Sequence, residues 1–264
     1  MVTDLLIKLA LAGVVLFAVL NLAGIQTWVE RKQSALMQDR VGANRAYFTV
    51  PWWLGGAPVN WLLRKLGGLG LLHPLADVVK LLTKEDFVPS TGNRFLHTIA
   101  PWISVFFALI AFAAIPFGDR LALFGRTITL QVAHLDAALL YVLALASIGV
   151  YGVILAGMAS GSNLATLGGL RAASQMLAYE IALGVSLIGT IVWYGTLDLQ
   201  EIIRLQGASP LGWGFVAQPL GCLIFMTAAL AETKRVPFDL PEGEPEIIGY
   251  FTEYSGMKFG LFFL

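Results

Sequence analysis

The chain has 264 residues, of which 57% are hydrophobic and only 13% are charged, and its formal net charge at pH 7 is zero. This composition is typical of a polytopic membrane protein and excludes a soluble globular domain. A net charge of zero gives no bulk attraction to phosphates, so nucleic acid is not expected as a partner.

Five apolar runs are long enough to cross a bilayer, which takes about 20 residues in a helix. They cover residues 5–29, 95–116, 137–159, 174–194 and 211–230. The first run has no small-residue cleavage box, so we interpret it as a retained helix. A sixth run starts at Phe251 and is too short to span, so we expect the chain to be part of a longer protein. The predicted fold is an all-α transmembrane helix bundle that forms a single membrane domain, 1–264.

A long loop, residues 30–94, separates the first two predicted spans. Residues 30–45 mix charged and apolar residues, which fits either an interfacial helix or a positive stop signal. Residues 46–70 are rich in Trp, Pro and Gly, a composition suited to the membrane interface. Residues 71–87 form an amphipathic segment that is too polar to span. One side of its predicted helix carries His73, Asp77, Lys80 and Lys84.

The distribution of basic residues predicts the orientation in the membrane. Nine Lys or Arg residues follow the first span, one follows the third and two follow the fifth. The opposite side has Lys8, two bases in the second loop and one in the fourth. Because basic residues favour the cytoplasmic side, we expect the odd-numbered loops in the cytoplasm and the N-terminus outside.

The densest group of acids lies in residues 231–254, AETKRVPFDLPEGEPEIIGYFTEY. These acids are Glu232, Asp239, Glu242, Glu244, Glu246 and Glu253. A carboxylate at the centre of a membrane helix costs about 2.5–3.5 kcal/mol, and crowded carboxylates raise one another's pKa. The pattern favours proton handling, and a solvated acidic loop is the alternative. Pro241 and Pro245 predict broken helix, which at membrane depth occurs inside protein or beside a water-filled cavity.

Two further acids lie at or inside predicted spans. Glu180 lies inside the fourth span, where an ionisable residue favours a role as a proton relay. The structural alternative is that Glu180 bonds Arg171 or Gln175, or reaches the interface. Asp136 lies at the head of the third span, where capping of the helix explains it equally well.

The sequence contains no pattern for a bound metal or nucleotide. Cys222 is the single cysteine, so this chain alone cannot hold an iron–sulfur cluster or form an internal disulfide. The three histidines, His73, His97 and His134, are not at ligand spacing, so a haem or zinc site is not expected. There is no Gly-rich loop of the kind that cradles phosphates.

Five blocks of the sequence resemble the H subunit of bacterial respiratory complex I and its mitochondrial homologue. The blocks are WVERKQSALMQDRVGANR, LHPLADVVKLLTKED, GGLRAASQMLAYE, AETKRVPFDLPEGEPE and EYSGMKFGLFF. They occur in the family's order, spread over residues 28–263. The five predicted spans match the family's first five helices, and the resemblance implies that its remaining C-terminal helices are missing here.

The resemblance implies a core membrane component of a proton-translocating NADH:quinone oxidoreductase in the bacterial inner membrane. Quinone would be bound as substrate, whereas nicotinamide, flavin and iron–sulfur clusters belong to other subunits of the complex. The implied partners are lipid, the hydrophilic quinone-site subunits, the small membrane subunits and the antiporter-like subunits. A Trp-rich insertion of about fifteen residues within 46–70 departs from the family's pattern.

Site residues carry over by matching blocks. The resemblance implies a quinone tunnel lined by Arg31, Arg40, Asp77, Arg235, Phe238 and Asp239. It implies a proton path through Glu180, Glu232, Glu242, Glu244, Glu246 and Glu253. Asp136 is a further candidate for proton transfer, on its position at the head of the third predicted span alone.

Three alternatives remain open from the sequence. A homologous membrane component of an energy-converting nickel–iron hydrogenase would share the fold with a different electron donor. A free-standing secondary transporter would usually show inverted repeats and paired broken helices, and neither is found. A purely structural anchor would have no need of Glu180.

Overall fold

The computed structural model describes residues 2–47, 49–51, 56–123, 126–235, 237–239, 241 and 249–262, and it is mainly helical. In chain order the α-helices are α1 (Val2–Met37), α2 (Gly56–Leu69), α3 (His73–Thr83), α4 (Arg94–Ala111), α5 (Ala138–Ala159), α6 (Asn163–Tyr194), α7 (Leu199–Gly207), α8 (Gly214–Ala217), α9 (Pro219–Glu232) and α10 (Gly256–Phe262). Short 3-10 turns occur at Phe112–Ala114 and Pro210–Gly212. The all-α prediction is confirmed.

A short antiparallel hairpin between α4 and α5 was not predicted. It consists of β1 (Arg120–Leu123) and β2 (Arg126–Thr129), with Arg120 paired to Thr129. The strands are four residues each, too short to stand out from the surrounding loop in a hydropathy pattern.

Among the described residues, four helices are long and apolar enough to cross a membrane: α1, α4 with its following 3-10 turn, α5 and α6. Two of them are longer than the predicted spans. α6 has 32 residues, or about 48 Å, against a hydrocarbon core of about 30 Å. Hydropathy locates the part of α6 from residue 174 onward, whereas the helix begins at Asn163. Likewise α1 continues to Met37, so a separate interfacial helix does not begin at Glu30.

The predicted fifth span, 211–230, is interrupted in the structure. A 3-10 turn and the short α8 precede Gln218, and α9 then begins at Pro219 with only 14 residues. Pro219 has no N–H to continue a helix through this point. The side-chain amide of Gln218 donates to the carbonyl oxygen of Gly189 on α6 at 2.6 Å.

The chain divides into two compact units. The first contains Met1–Gly13 and Phe87–Tyr254, and the second contains Val14–Asp86 and Ser255–Leu264. In the first unit, α4, α5, α6 and α9 pack against one another in chain order. Small residues allow close helix crossings. A Cβ added at Gly157 would lie 2.8 Å from the carbonyl oxygen of Ala165, so α5 and α6 touch backbone to backbone there.

In the second unit, α2 and α3 meet at 90° and α10 packs on the end of α3. The indole N–H of Trp28 on α1 donates to the carbonyl oxygen of Leu69 at 2.9 Å. The ammonium of Lys258 on α10 pairs with Asp86 at 2.8 Å. The sixth run was predicted to start at Phe251. In the structure a turn covers residues 250–253, and the helix of this run, α10, begins at Gly256.

Candidate functional site

Glu180 lies near the middle of α6 and is half-buried. The hydroxyl of Ser147 on α5 donates a hydrogen bond to Glu180 Oε1. The hydroxyl can also donate to the carbonyl oxygen of Leu143 at 3.2 Å. Ser147 was not identified from the sequence, because α5 is apolar all round and a lone serine in such a helix commonly bonds its own backbone.

The side chain of Gln175, on α6, forms hydrogen bonds with the end of α9 and the segment after it. Its side-chain amide donates to the carbonyl oxygens of Ala231 at 3.1 Å and Phe238 at 2.7 Å. The rings of Tyr179 and Phe238 meet edge to face, with centroids 5.3 Å apart. The segment after α9 is therefore held against the part of α6 that carries Glu180.

Glu232 is the last residue of α9 and lies two residues beyond the fifth predicted span. Its Oε2 atom is buried and has no hydrogen-bond partner among the described residues. Burial, reinforced by the charge of Glu180, raises the pKa of Glu232 to about 7, against the opposing effect of Lys234. A carboxyl group that titrates near neutrality can take up and release protons under physiological conditions.

The chain leaves α9 through a Schellman turn. The N–H of Arg235 bonds the carbonyl oxygen of Leu230 at 3.3 Å, and the N–H of Lys234 bonds that of Ala231 at 3.2 Å. Lys234 has φ +55°, a left-handed conformation that costs a non-glycine residue about 1–2 kcal/mol. Its ammonium donates to the hydroxyl of Tyr250 at 2.9 Å and lies 4.7 Å from that ring's centroid.

An aromatic cluster fixes the backbone at Glu253. The ring of His97 on α4 is fully buried and stacks on Tyr254, with centroids 3.9 Å apart. His97 Nε2 is 3.3 Å from the carbonyl oxygen of Glu253, and the Tyr254 hydroxyl donates to the carbonyl oxygen of Ala156 at 3.4 Å. Burial raises the pKa of the Tyr254 phenol, so it stays protonated.

The predicted quinone-tunnel residues occur in both units. In the second unit, Arg31 Nη1 and Asp77 Oδ2 form an ion pair at 2.6 Å, and both side chains are accessible to solvent. Arg40 is exposed, and its N–H closes the end of α1 on the carbonyl oxygen of Ala35 at 2.9 Å. In the first unit, Arg235, Phe238 and Asp239 follow α9 and are half-buried.

The other predicted acids divide between described and undescribed parts of the chain. Glu242, Glu244 and Glu246 lie outside the described residues. Asp136 is exposed in the turn before α5. The residue that caps α5 is Ala137, with no side-chain hydrogen bond. The capping explanation for Asp136 is therefore wrong. Within the described ranges, no group of three His, Cys, Asp or Glu residues is arranged to hold a metal ion.

Comparison with known proteins gives consistent matches over nearly the whole chain. The family model described as NADH dehydrogenase matches residues 9–264. The H subunit of NADH-quinone oxidoreductase from Thermomicrobium roseum is 45% identical, with 98% of this chain and 73% of that protein covered. The corresponding subunit from Geobacter metallireducens is 45% identical, with 99% and 73% covered. The one from Flavobacterium psychrophilum is 45% identical, with 97% and 69% covered.

Proposed function

Because this chain belongs to the NADH dehydrogenase family, among relatives named as the H subunit of NADH-quinone oxidoreductase, we propose that it couples quinone reduction to proton pumping within that complex. It forms the membrane side of the quinone tunnel and an acidic path leading from it. It is a multi-pass membrane component of an oxidoreductase and is not catalytic alone. Quinone is its bound substrate, and the electron-carrying groups are held by other subunits.

The partners follow from the same proposal. Hydrophilic subunits carry electrons to the quinone, small membrane subunits flank this chain, and antiporter-like subunits receive the coupling signal. Lipid surrounds the long apolar helices, whose outward side chains, such as Phe17 and Val192, are highly exposed. We place the complex in the bacterial inner membrane with the acidic segment on the cytoplasmic side.

The observation that carries the proposal is the pair Glu180 and Glu232. Gln175 on α6 donates to the carbonyl oxygen of Ala231, the residue before Glu232, and the charge of Glu180 adds to burial in raising the pKa of Glu232. A negative charge near a buried carboxyl group favours its protonated form, so the charge of Glu180 adds to the effect of burial on Glu232. Such a pair responds to any new charge placed nearby.

Quinone reduction supplies that charge. A unit charge about 8 Å from a carboxyl group, at an effective dielectric constant of about 20, is worth about 2 kcal/mol, or about 1.5 pKa units. This is enough to change the protonation of Glu232, whose pKa of about 7 already lies near neutrality. The proton taken up or released by Glu232 then changes the field at Glu180 inside the bundle.

On the quinone side, two groups of residues support the proposal. The ion pair of Arg31 and Asp77 is solvent-accessible at a place where a charged or polar head group can approach. The ring of Phe238 is held by its contact with Tyr179, and its backbone by Gln175. An apolar ring beside the charged Asp239 suits a ligand with a polar head and an apolar tail.

The experiment is Glu180→Gln in the intact complex, studied in inverted membrane vesicles. NADH-driven quinone reduction and the proton gradient are measured in the same preparation. We expect the gradient to be lost, because a glutamine side chain cannot exchange a proton. Ser147 can still donate a hydrogen bond to the glutamine oxygen, so the fold and the assembly of the complex should be preserved.

The matched control is Glu201→Gln, which removes an exposed carboxyl group on α7 in the same unit. This variant should pump like the wild type. A normal proton gradient in Glu180→Gln would refute the role given to Glu180. A complex that contains this chain but does not reduce quinone with NADH would refute the proposed function as a whole.

A further inference from the structure

Lys234 occupies a backbone position that does not suit a lysine. The C′ residue of a Schellman turn takes a left-handed conformation, and glycine is the usual residue there because it has no Cβ. In this chain α1 and α9 end in the same hydrogen-bonding pattern, and their C′ residues are Asp39 with φ +52° and Lys234 with φ +55°. Asp is one of the residues that tolerate this conformation, whereas Lys has no such preference.

The Lys234 side chain makes contacts that a glycine would lose. Its ammonium donates to the Tyr250 hydroxyl at 2.9 Å and lies over the same ring, 4.7 Å from the centroid. Tyr250 is itself 1% exposed and packs edge to face on Phe251, with centroids 5.2 Å apart. A buried tyrosine, packed on Phe251, therefore holds the Lys234 ammonium through a hydrogen bond and a ring contact.

That charge lies two residues from Glu232 and acts on it. Among the described charged groups that act on the Glu232 carboxyl are Glu180, from α6, and Lys234, from the turn after α9. They act in opposite directions: Glu180 favours the protonated form and Lys234 favours the carboxylate. A strained backbone that persists at such a place points to a requirement of the site.

We infer that Lys234 is a positioning residue for proton transfer, whose ammonium is anchored on Tyr250 so that a fixed positive charge sets the pH range over which Glu232 exchanges protons. The inference rests on the proposed function, since it assumes that Glu232 belongs to the proton path. It adds Lys234 to the residues of the proposed proton path, although Lys234 is neither an acid nor one of the predicted quinone-tunnel residues.

The test compares three substitutions at Lys234 in the intact complex. Lys234→Gly removes the charge and also removes the backbone strain. Lys234→Met removes the charge and keeps the strain. Lys234→Arg keeps both. For each variant, NADH-driven proton pumping is measured in inverted vesicles across about pH 5.5–9. The quantity compared is the midpoint pH of the change in pumping that depends on Glu232, which is identified as the change that is absent in Glu232→Gln.

We expect this midpoint to move to higher pH by about half a unit or more in both Lys234→Gly and Lys234→Met, because a favourable charge near the carboxylate is lost. It should stay at the wild-type value in Lys234→Arg. Tyr250→Phe, which leaves the ring but removes the acceptor of the lysine bond, should produce a smaller shift in the same direction.

A purely structural lysine would behave differently. Lys234→Gly would then keep the wild-type midpoint and melt at a higher temperature than the wild type, and this result would overturn the inference.

The Glu232→Gln variant separates the two proposals. If Glu232→Gln pumps with an unchanged pH profile, Glu232 is not on the proton path and the proposed function fails at this residue. If Glu232→Gln changes the profile while Lys234→Gly and Lys234→Met do not, only the role of Lys234 fails.

Discussion

Glu232 combines a charged side chain with an environment that disfavours the charge. Its folded-state pKa of about 7 lies above the ordinary value of 4.5, with burial as the largest cause. The folded protein therefore holds this proton more tightly than the unfolded chain does. The contribution of Glu232 to the free energy of unfolding is fully present below about pH 4.5 and is lost as the pH rises through about 7. Above that pH, folding requires either the uptake of a proton or the burial of a charge.

We therefore predict that Glu232→Gln stabilises the protein at high pH only. At pH 8 the free energy of unfolding should rise by about 2 kcal/mol, after allowance for the part of the side chain that reaches solvent. At pH 4.5 the gain should vanish. The measurement is thermal unfolding of the purified protein at both pH values. Glu201→Gln, at an exposed site, serves as the control and should have no pH-dependent effect; an equal gain at both pH values in Glu232→Gln would contradict the prediction.

Part of the site could be predicted from single residues. The energetic cost of a carboxylate near hydrocarbon is a local property, and it identified Glu180 and Glu232 without any structure. Their partners are not local. Ser147 is 33 residues from Glu180 along the chain, and the contact of Lys234 with Tyr250 spans 16 residues. Such contacts depend on how helices rotate against one another, which hydropathy does not determine.

At the scale of elements, the sequence predicted where apolar helix exists better than where helix begins and ends. The prediction for 137–159 agrees with α5 to within one residue. α6 begins eleven residues earlier than predicted, because Ala, Leu and Arg favour helix whether or not they lie in lipid. The break before α9 was missed because residues 211–230 are apolar apart from Gln218 and Thr227. The preceding helix, α8, ends before Gln218, and α9 starts at Pro219. The break is set by the missing N–H of Pro219 and by the hydrogen bond of the Gln218 amide to α6, and a hydropathy average detects neither.

The crossing of α5 and α6 gives a prediction for two glycines of the same helix. A methyl group at Gly157 would meet the Ala165 carbonyl oxygen at 2.8 Å, whereas at Gly149 nothing lies within 4 Å. Gly157→Ala should lower the free energy of unfolding by about 1–3 kcal/mol, since backbone must move to admit the methyl group. Gly149→Ala should be neutral or stabilising by up to about 1 kcal/mol, because alanine favours helix over glycine.

Thermal unfolding of the two variants, side by side, checks this prediction. The substitution is the same, both sites lie in α5, and only the neighbouring backbone differs. Equal destabilisation by both substitutions would mean that glycine is needed in α5 for a reason other than the contact with α6.

At the scale of the whole molecule, hydrogen bonds between the connecting segments indicate which of them lie on the same side of the first unit. Asp119, between α4 and α5, receives the guanidinium of Arg204 at 2.5 Å and the amide of Gln200 at 3.0 Å, both on α7. At the other ends of the helices, the N–H of Asn93 bonds the carbonyl oxygen of Ala159 at 3.0 Å. The connections before α4 and after α5 thus share one side of the first unit, and the hairpin and α7 share the opposite side.

The distribution of basic residues predicts which of these sides faces the cytoplasm. Twelve bases follow the first, third and fifth predicted spans, against four on the other side. The excess favours a cytoplasmic location for the loop that contains Lys84 and an external location for α7. Both Lys84 and Glu201 are exposed to solvent, so each is a suitable site for a single reporter cysteine.

We predict opposite accessibility for Lys84→Cys and Glu201→Cys, each made with Cys222→Ser so that one thiol remains. A membrane-impermeant maleimide should label Glu201→Cys in right-side-out membranes and Lys84→Cys in inverted vesicles. Exchange of the two patterns would reverse the orientation and place the acidic segment after α9 outside. Quinone-coupled proton transfer through Glu232 would then have to draw its protons from the external side. Labelling of both cysteines from the same side would contradict the arrangement of spans itself, because Lys84 precedes three membrane-crossing helices and Glu201 follows them, and an odd number of crossings separates opposite faces.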